Sequence, residues 1–182
     1  VPMAVTMAEA PMVVEPMPSA SLVSADEASH QVFPENLIEA TRRGDTNLMA
    51  EWLARGGQID DMRANRNSET GHCFTVLMMA CVYGQLQVVD LLLQCGASVD
   101  LQSSRGFSAL VFAASRGQHS IVHRLLIWGA KDYLRCSMGH TALTAAEHGT
   151  QPRHQECARI LREHAAAAQW RHVAHVTAAN GN

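Results

Sequence analysis

Lysine is almost absent from this chain: Lys131 stands alone against thirteen arginines. Biased codon usage is the plain explanation, and the scarcity carries no functional reading, but the overall balance is informative. The formal net charge is −3 at pH 7. No basic surplus points to a nucleic-acid partner, and none is expected. No apolar run approaches the roughly 18 residues of a membrane-spanning helix. No Cys-x-x-Cys pair occurs. Cys73, Cys81, Cys95, Cys136 and Cys157 are odd in number and widely spaced. That pattern suits a reducing intracellular compartment, the cytoplasm first, with the nucleus or an organelle after leader removal as alternatives. No glycine-rich phosphate loop, Ser/His/Asp order or pair of carboxylates stands out, so no enzymatic activity and no cofactor are expected. The chain starts at Val1 without a methionine, which fits a fragment or a processed protein.

Residues 1–35 lack any Lys or Arg. They hold five of the six prolines and five acids, Glu9, Glu15, Asp26, Glu27 and Glu35. Proline at this density breaks helices and ladders. The segment reads as a disordered or extended acidic arm, rich in Pro and Met. An inert linker is the plainer role for it. Its acids and apolar residues also leave open a docking or autoinhibitory role.

From residue 36 the chain repeats itself. Thr75-Val-Leu-Met-Met-Ala80, Ser108-Ala-Leu-Val-Phe-Ala113 and Thr141-Ala-Leu-Thr-Ala-Ala146 align at a period of 33. The same offset links Gly84 to Gly117 and Gly96 to Gly129. A divergent first unit, Asn36 to Gly56, matches the second at an offset of 40. That predicts about seven extra residues within 57–74, an enlarged first finger. Each unit parses as a short helix capped by Thr or Ser, a glycine turn, and a second helix with apolar residues at helical spacing. Val88-Val89-Leu91-Leu92-Leu93 and Ile121-Val122-Leu125-Leu126 carry that spacing.

The chain resembles the ankyrin-repeat family over about 36–165. The family's helix-opening pattern, Thr-Pro-Leu-His-x-Ala, keeps its Thr/Ser, Leu and Ala positions in the three aligned segments and loses its Pro and His. The second-helix pattern stands almost intact from Val88 to Asp100. The resemblance implies an all-α solenoid of helix–turn–helix units with hairpin-like loops. The expected units are about 36–68, 69–102, 103–135 and 136–165. A C-terminal helical cap and frayed tail are expected over 166–182.

The resemblance also implies a binding face built from hairpin tips and first-helix residues, the concave side of the stack. Alignment assigns to it His72, Phe74, Val82 and Tyr83 of the second unit, and Arg105, Phe107 and Arg116 of the third. Met138, His140 and His148 come from the fourth, and Arg42 and Arg43 from the first. Phe74 and Phe107 occupy equivalent positions and, with Tyr83 and Met138, form an apolar strip. Phenylalanines tucked against a neighbouring hairpin are the alternative. The arginines at its border suit a protein partner with an acidic segment, unless they are scattered surface charge.

His119 and His123, and His172 and His175, are spaced to share helix faces. Neither pair has a third ligand nearby, and solvated histidines are the preferred reading, so no metal is expected. Cys81 reads as core and Cys136 as an accessible turn residue. The leading function is a non-enzymatic interaction module, an adaptor or assembly subunit. The alternatives are a transient regulatory or assembly chaperone and the targeting part of a longer multidomain protein or enzyme. The oligomeric state is open.

Overall fold

A computed structural model of the chain describes the backbone of residues 35–62 and 73–179, with side chains over 37–62 and 73–169. The 1–34 part of the arm, the 63–72 part of the enlarged finger, His72 and residues 180–182 lie outside the described residues. Those that are described form eight helices and no strand, an all-α repeat solenoid.

The inner layer comprises α1 (Glu35–Arg43), α3 (Val76–Tyr83), α5 (Ala109–Ser115) and α7 (Ala142–Glu147). The outer layer comprises α2 (Thr46–Ala54), α4 (Leu86–Gln94), α6 (His119–Ile127) and α8 (Pro152–Ala179). Each inner helix packs on the next inner helix and on its own outer partner.

Three inner helices, α3, α5 and α7, start where hydroxyls meet otherwise unpaired N–H groups. Thr75 Oγ1 accepts from Met78 N–H at 3.2 Å, and Ser108 Oγ from Val111 N–H at 3.4 Å. Thr141 forms a reciprocal box with Thr144, whose Oγ1 accepts from Thr141 N–H at 2.8 Å. Glycine ends α3 because the chain must reverse there through a left-handed residue: Gly84 has φ +75°. A side chain at that position would also strike Gln118 of the next unit.

The central inner helices α3 and α5 are short and buried on several sides, since each is sandwiched between two inner neighbours and an outer helix. Val76, Leu77, Met78, Ala80 and Cys81 of α3 are all buried. The outer helices are amphipathic and bury one face, Val88, Val89, Leu92 and Leu93 on α4 and Ile121, Val122, Leu125 and Leu126 on α6. Each such side chain contributes about 1.5–3 kcal/mol on burial.

Carboxylates clip one unit to the next at the outer loops. Asp60 accepts from Ser98 N–H at 2.9 Å, and Asp100 from Lys131 N–H at 2.9 Å. Asp132 meets His164 Nδ1 at 3.2 Å. The last helix outgrows its unit: α8 runs for 28 residues, about 42 Å, and packs on α6 and α7.

The five cysteines are free thiols. Cys81 is fully buried, and burial drives its thiol far above the ordinary range. The expectation of an accessible Cys136 is corrected, since it is buried. Its backbone lies against Gly106 of the preceding hairpin, so the turn that carries it faces protein rather than water.

Candidate binding face

Two hairpins project beyond the inner helices. In the first, Ser103 N–H donates to Phe107 O at 2.9 Å and Gly106 N–H to Ser103 O at 2.7 Å. In the second, Cys136 N–H donates to His140 O at 2.9 Å and Gly139 N–H to Cys136 O at 2.8 Å. Ser137 N–H donates to Arg105 O at 2.9 Å, which ties the tips together. The Gln102 side-chain amide adds a bond to Arg135 O at 3.0 Å. Cys73 N–H reaches Ser104 Oγ at 3.3 Å on the other side. With these bonds the tips form a continuous edge rather than independent fingers.

Phe74 and Phe107 flank this edge, and neither stands free in water. Both are half-buried and close on Phe112 of α5, whose ring centroid lies 5.5 Å from that of Phe74 and 5.3 Å from that of Phe107. Such spacings suit aromatic pairs. The apolar strip expected from alignment is therefore a cleft with a shared aromatic wall.

On the helix side, Phe74, Met79, Val82, Tyr83, Phe112 and Arg116 enclose about 220 Å³. On the hairpin side, Phe74, Ser103, Ser104, Arg105, Phe107 and Phe112 enclose about 140 Å³. Both spaces are smaller than the ~300 Å³ at which small-molecule sites begin.

Six of the twelve expected site residues are not among the described residues that line these spaces. Arg42 and Arg43 end α1 and pair with Glu39 at 2.9 and 2.7 Å. The Arg42 hydrogen bond, followed by the charges of both arginines, holds the Glu39 carboxyl below its ordinary range. Met138 is 64% exposed at the second hairpin tip and lines neither space. His140 and His148 meet edge to face at 5.1 Å across α7, one unit further along. His72 lies outside the described residues. Phe107 lines only the hairpin side, where Arg105 joins it, while Val82, Tyr83 and Arg116 line the helix side.

Alignment overlooked Met79 and Phe112. Both occupy the variable fifth position of the helix-opening pattern, as Ala145 does in the fourth unit. All three are half-buried, so that position points out of the inner layer. The signal was present as a large apolar residue at a position the repeat leaves free.

A larger groove of about 1010 Å³ runs between α6 and α8 on the outer layer, lined by His119, His123, Ile127, Ile160 and His164 among others. Its charges are largely satisfied within the protein. Arg159 pairs with Glu156 and Glu163, Arg124 with Asp90, and His164 with Asp132. His119 and His123 are exposed there. Among the described residues, no three His, Cys, Asp or Glu side chains converge as metal ligands would.

The repeat architecture has a counterpart among known families. The ankyrin-repeat family matches residues 77–172 in three copies, more than half the chain, and the protein belongs to that family. No curated protein matches the chain. Ankyrin repeats are generally protein–protein interaction modules and typically non-enzymatic. No described helix is long and apolar enough to cross a membrane.

Proposed function

We propose that this protein is a non-enzymatic adaptor or assembly subunit that holds a protein segment on its inner-helix and hairpin face, over the Phe74–Phe112–Phe107 wall. One observation carries the reading. Three aromatic rings and Met79, Val82 and Tyr83, only partly covered by the core, line the two open spaces on the inner-helix and hairpin face. Aromatics on a rigid scaffold anchor interfaces at low entropic cost. The hairpin edge is braced by its inter-unit hydrogen bonds and so supplies the rigidity. Five free thiols agree with work in a reducing, intracellular compartment, and the cytoplasm is the proposed site. The arm upstream of the first unit and the tail beyond the last are proposed as accessory to this stack.

Photo-crosslinking tests the placement. A benzophenone side chain introduced at Tyr83, on the cleft rim, is expected to capture the partner. The same group at Ile127, in the outer groove, is expected to capture little. Capture from Ile127 and none from Tyr83 would move the binding face to the outer helices.

A further inference from the structure

The charges around the cleft identify the chemistry of its occupant. We infer that the cleft takes an acidic segment, with one apolar side chain seated against Phe112 and carboxylates on either side of it. This rests on the inner face being the binding face.

Most basic side chains of the described residues are already neutralised. Arg55 pairs with Glu51, Arg124 with Asp90, Lys131 with Asp100, Arg159 with Glu156 and Glu163, and Arg162 with Glu147. Arg42 and Arg43 share Glu39. The bases without a carboxylate partner among the described residues gather at the two ends of α5. Arg105 projects from the hairpin that precedes α5, and Arg135 occupies the next hairpin. Arg116 caps the other end, and the Arg153 stem lies over the adjoining Gly117. The residues that build the wall offer no counter-charge. Neither α3, α5 nor residues 101–108 contain an Asp or Glu.

Guanidinium groups beside an apolar cleft, with no carboxylate partner among the described residues, are suited to bidentate capture of carboxylates. The geometry also sets a spacing. Helix α5, Ala109–Ser115, alone rises about 10 Å, and residues 105–108 carry the Arg105 end beyond it. An extended peptide advances about 3.3 Å per residue. Two carboxylates at least about three residues apart, with an apolar residue between them, therefore match the site. A space of about 220 Å³ is of a size to seat one apolar side chain.

Selection from a phage-displayed pool of random twelve-residue peptides on the intact protein tests this. Enriched sequences are expected to carry two or more acids within about five residues of a leucine, methionine or aromatic residue. A synthetic peptide of that pattern is then titrated by fluorescence anisotropy at low and high salt. Replacing Arg105→Gln and Arg116→Gln together is expected to weaken it on the order of tenfold, and salt to erase that difference. Both positions are exposed, and circular dichroism confirms that the variant folds. The variant Phe112→Ala is expected to weaken the peptide at both salt concentrations.

Acid-free peptides that bind in competition with the acidic probe sink the inference and leave the binding face standing. Peptides whose binding is lost in Ile127→Asp and kept in Phe112→Ala sink the binding face itself. No enrichment over a protein-free surface, or displacement of the acidic probe by a single-stranded oligonucleotide, also overturns the inference.

Discussion

Gly106 and Gly139 occupy the same place in successive hairpins, and replacing each with alanine isolates the contribution of the contact between hairpins. Both have left-handed backbones, φ +75° and +79°. A non-glycine residue there costs roughly 1–2 kcal/mol. At Gly139 nothing lies within 4 Å of an added Cβ, so Gly139→Ala is expected to cost that much and no more. At Gly106 the Cβ would lie 3.1 Å from both Cys136 Cα and Ser137 N. Those are backbone atoms, which cannot swing aside as a side chain could. Relief requires the hairpins to part, which lengthens the Ser137 N–H bond to Arg105 O, worth about 1 kcal/mol. Gly106→Ala is therefore expected to cost about 2–3 kcal/mol. The assay is urea unfolding followed by far-ultraviolet circular dichroism. With a slope near ~2 kcal/mol/M, the midpoints of the two variants should differ by about 0.5 M. A broader transition is also expected for Gly106→Ala, because units coupled through fewer contacts unfold less cooperatively. Equal midpoints for the two variants would refute the claim that the hairpins brace one another.

Three further outcomes follow from burial. Thr75 is buried and its hydroxyl caps α3, so Thr75→Ala is expected to cost about 1–2 kcal/mol in the same urea assay, while Thr75→Ser keeps the acceptor and costs less. Comparable losses from the two substitutions would remove the cap from the explanation. Burial pushes the Cys157 thiol up to about 11, with the Glu156 charge adding to it, and raises Cys81 further. A thiol raised in the folded state stabilises fully below its unfolded value of about 9 and loses that contribution as pH rises through about 11. Urea midpoints should therefore fall between pH 9 and 11. An iodoacetamide pulse at pH 8 should label exposed Cys95 before Cys81 and Cys157, read by peptide mass spectrometry. Native-state labelling of Cys81 at the Cys95 rate would contradict the burial described.

Sequence by itself determined the repeating unit. A 33-residue period, a hydroxyl before each of α3, α5 and α7 and a glycine after each are local signals, since capping and chain reversal act over three or four residues. The pairing of Arg42 and Arg43 with Glu39 was legible in the same way, being three and four residues apart on one helix. Alignment missed it because it compared positions between units and not charges within one. Tertiary structure alone decided what lies between units. Cys136 sits in a turn and is buried all the same, because the hairpin before it comes within contact distance. Phe112 belongs to one helix yet joins Phe74 and Phe107, which stand 38 residues behind it and five before it, into one wall. Among the described residues Arg105 and Arg116 lack carboxylate partners, and α3, α5 and residues 101–108 carry no acid. Each of these depends on which surfaces two successive units present to one another. Sequence spacing sets the period of the stack, and side-chain volume and charge at the contact decide what becomes core and what becomes surface.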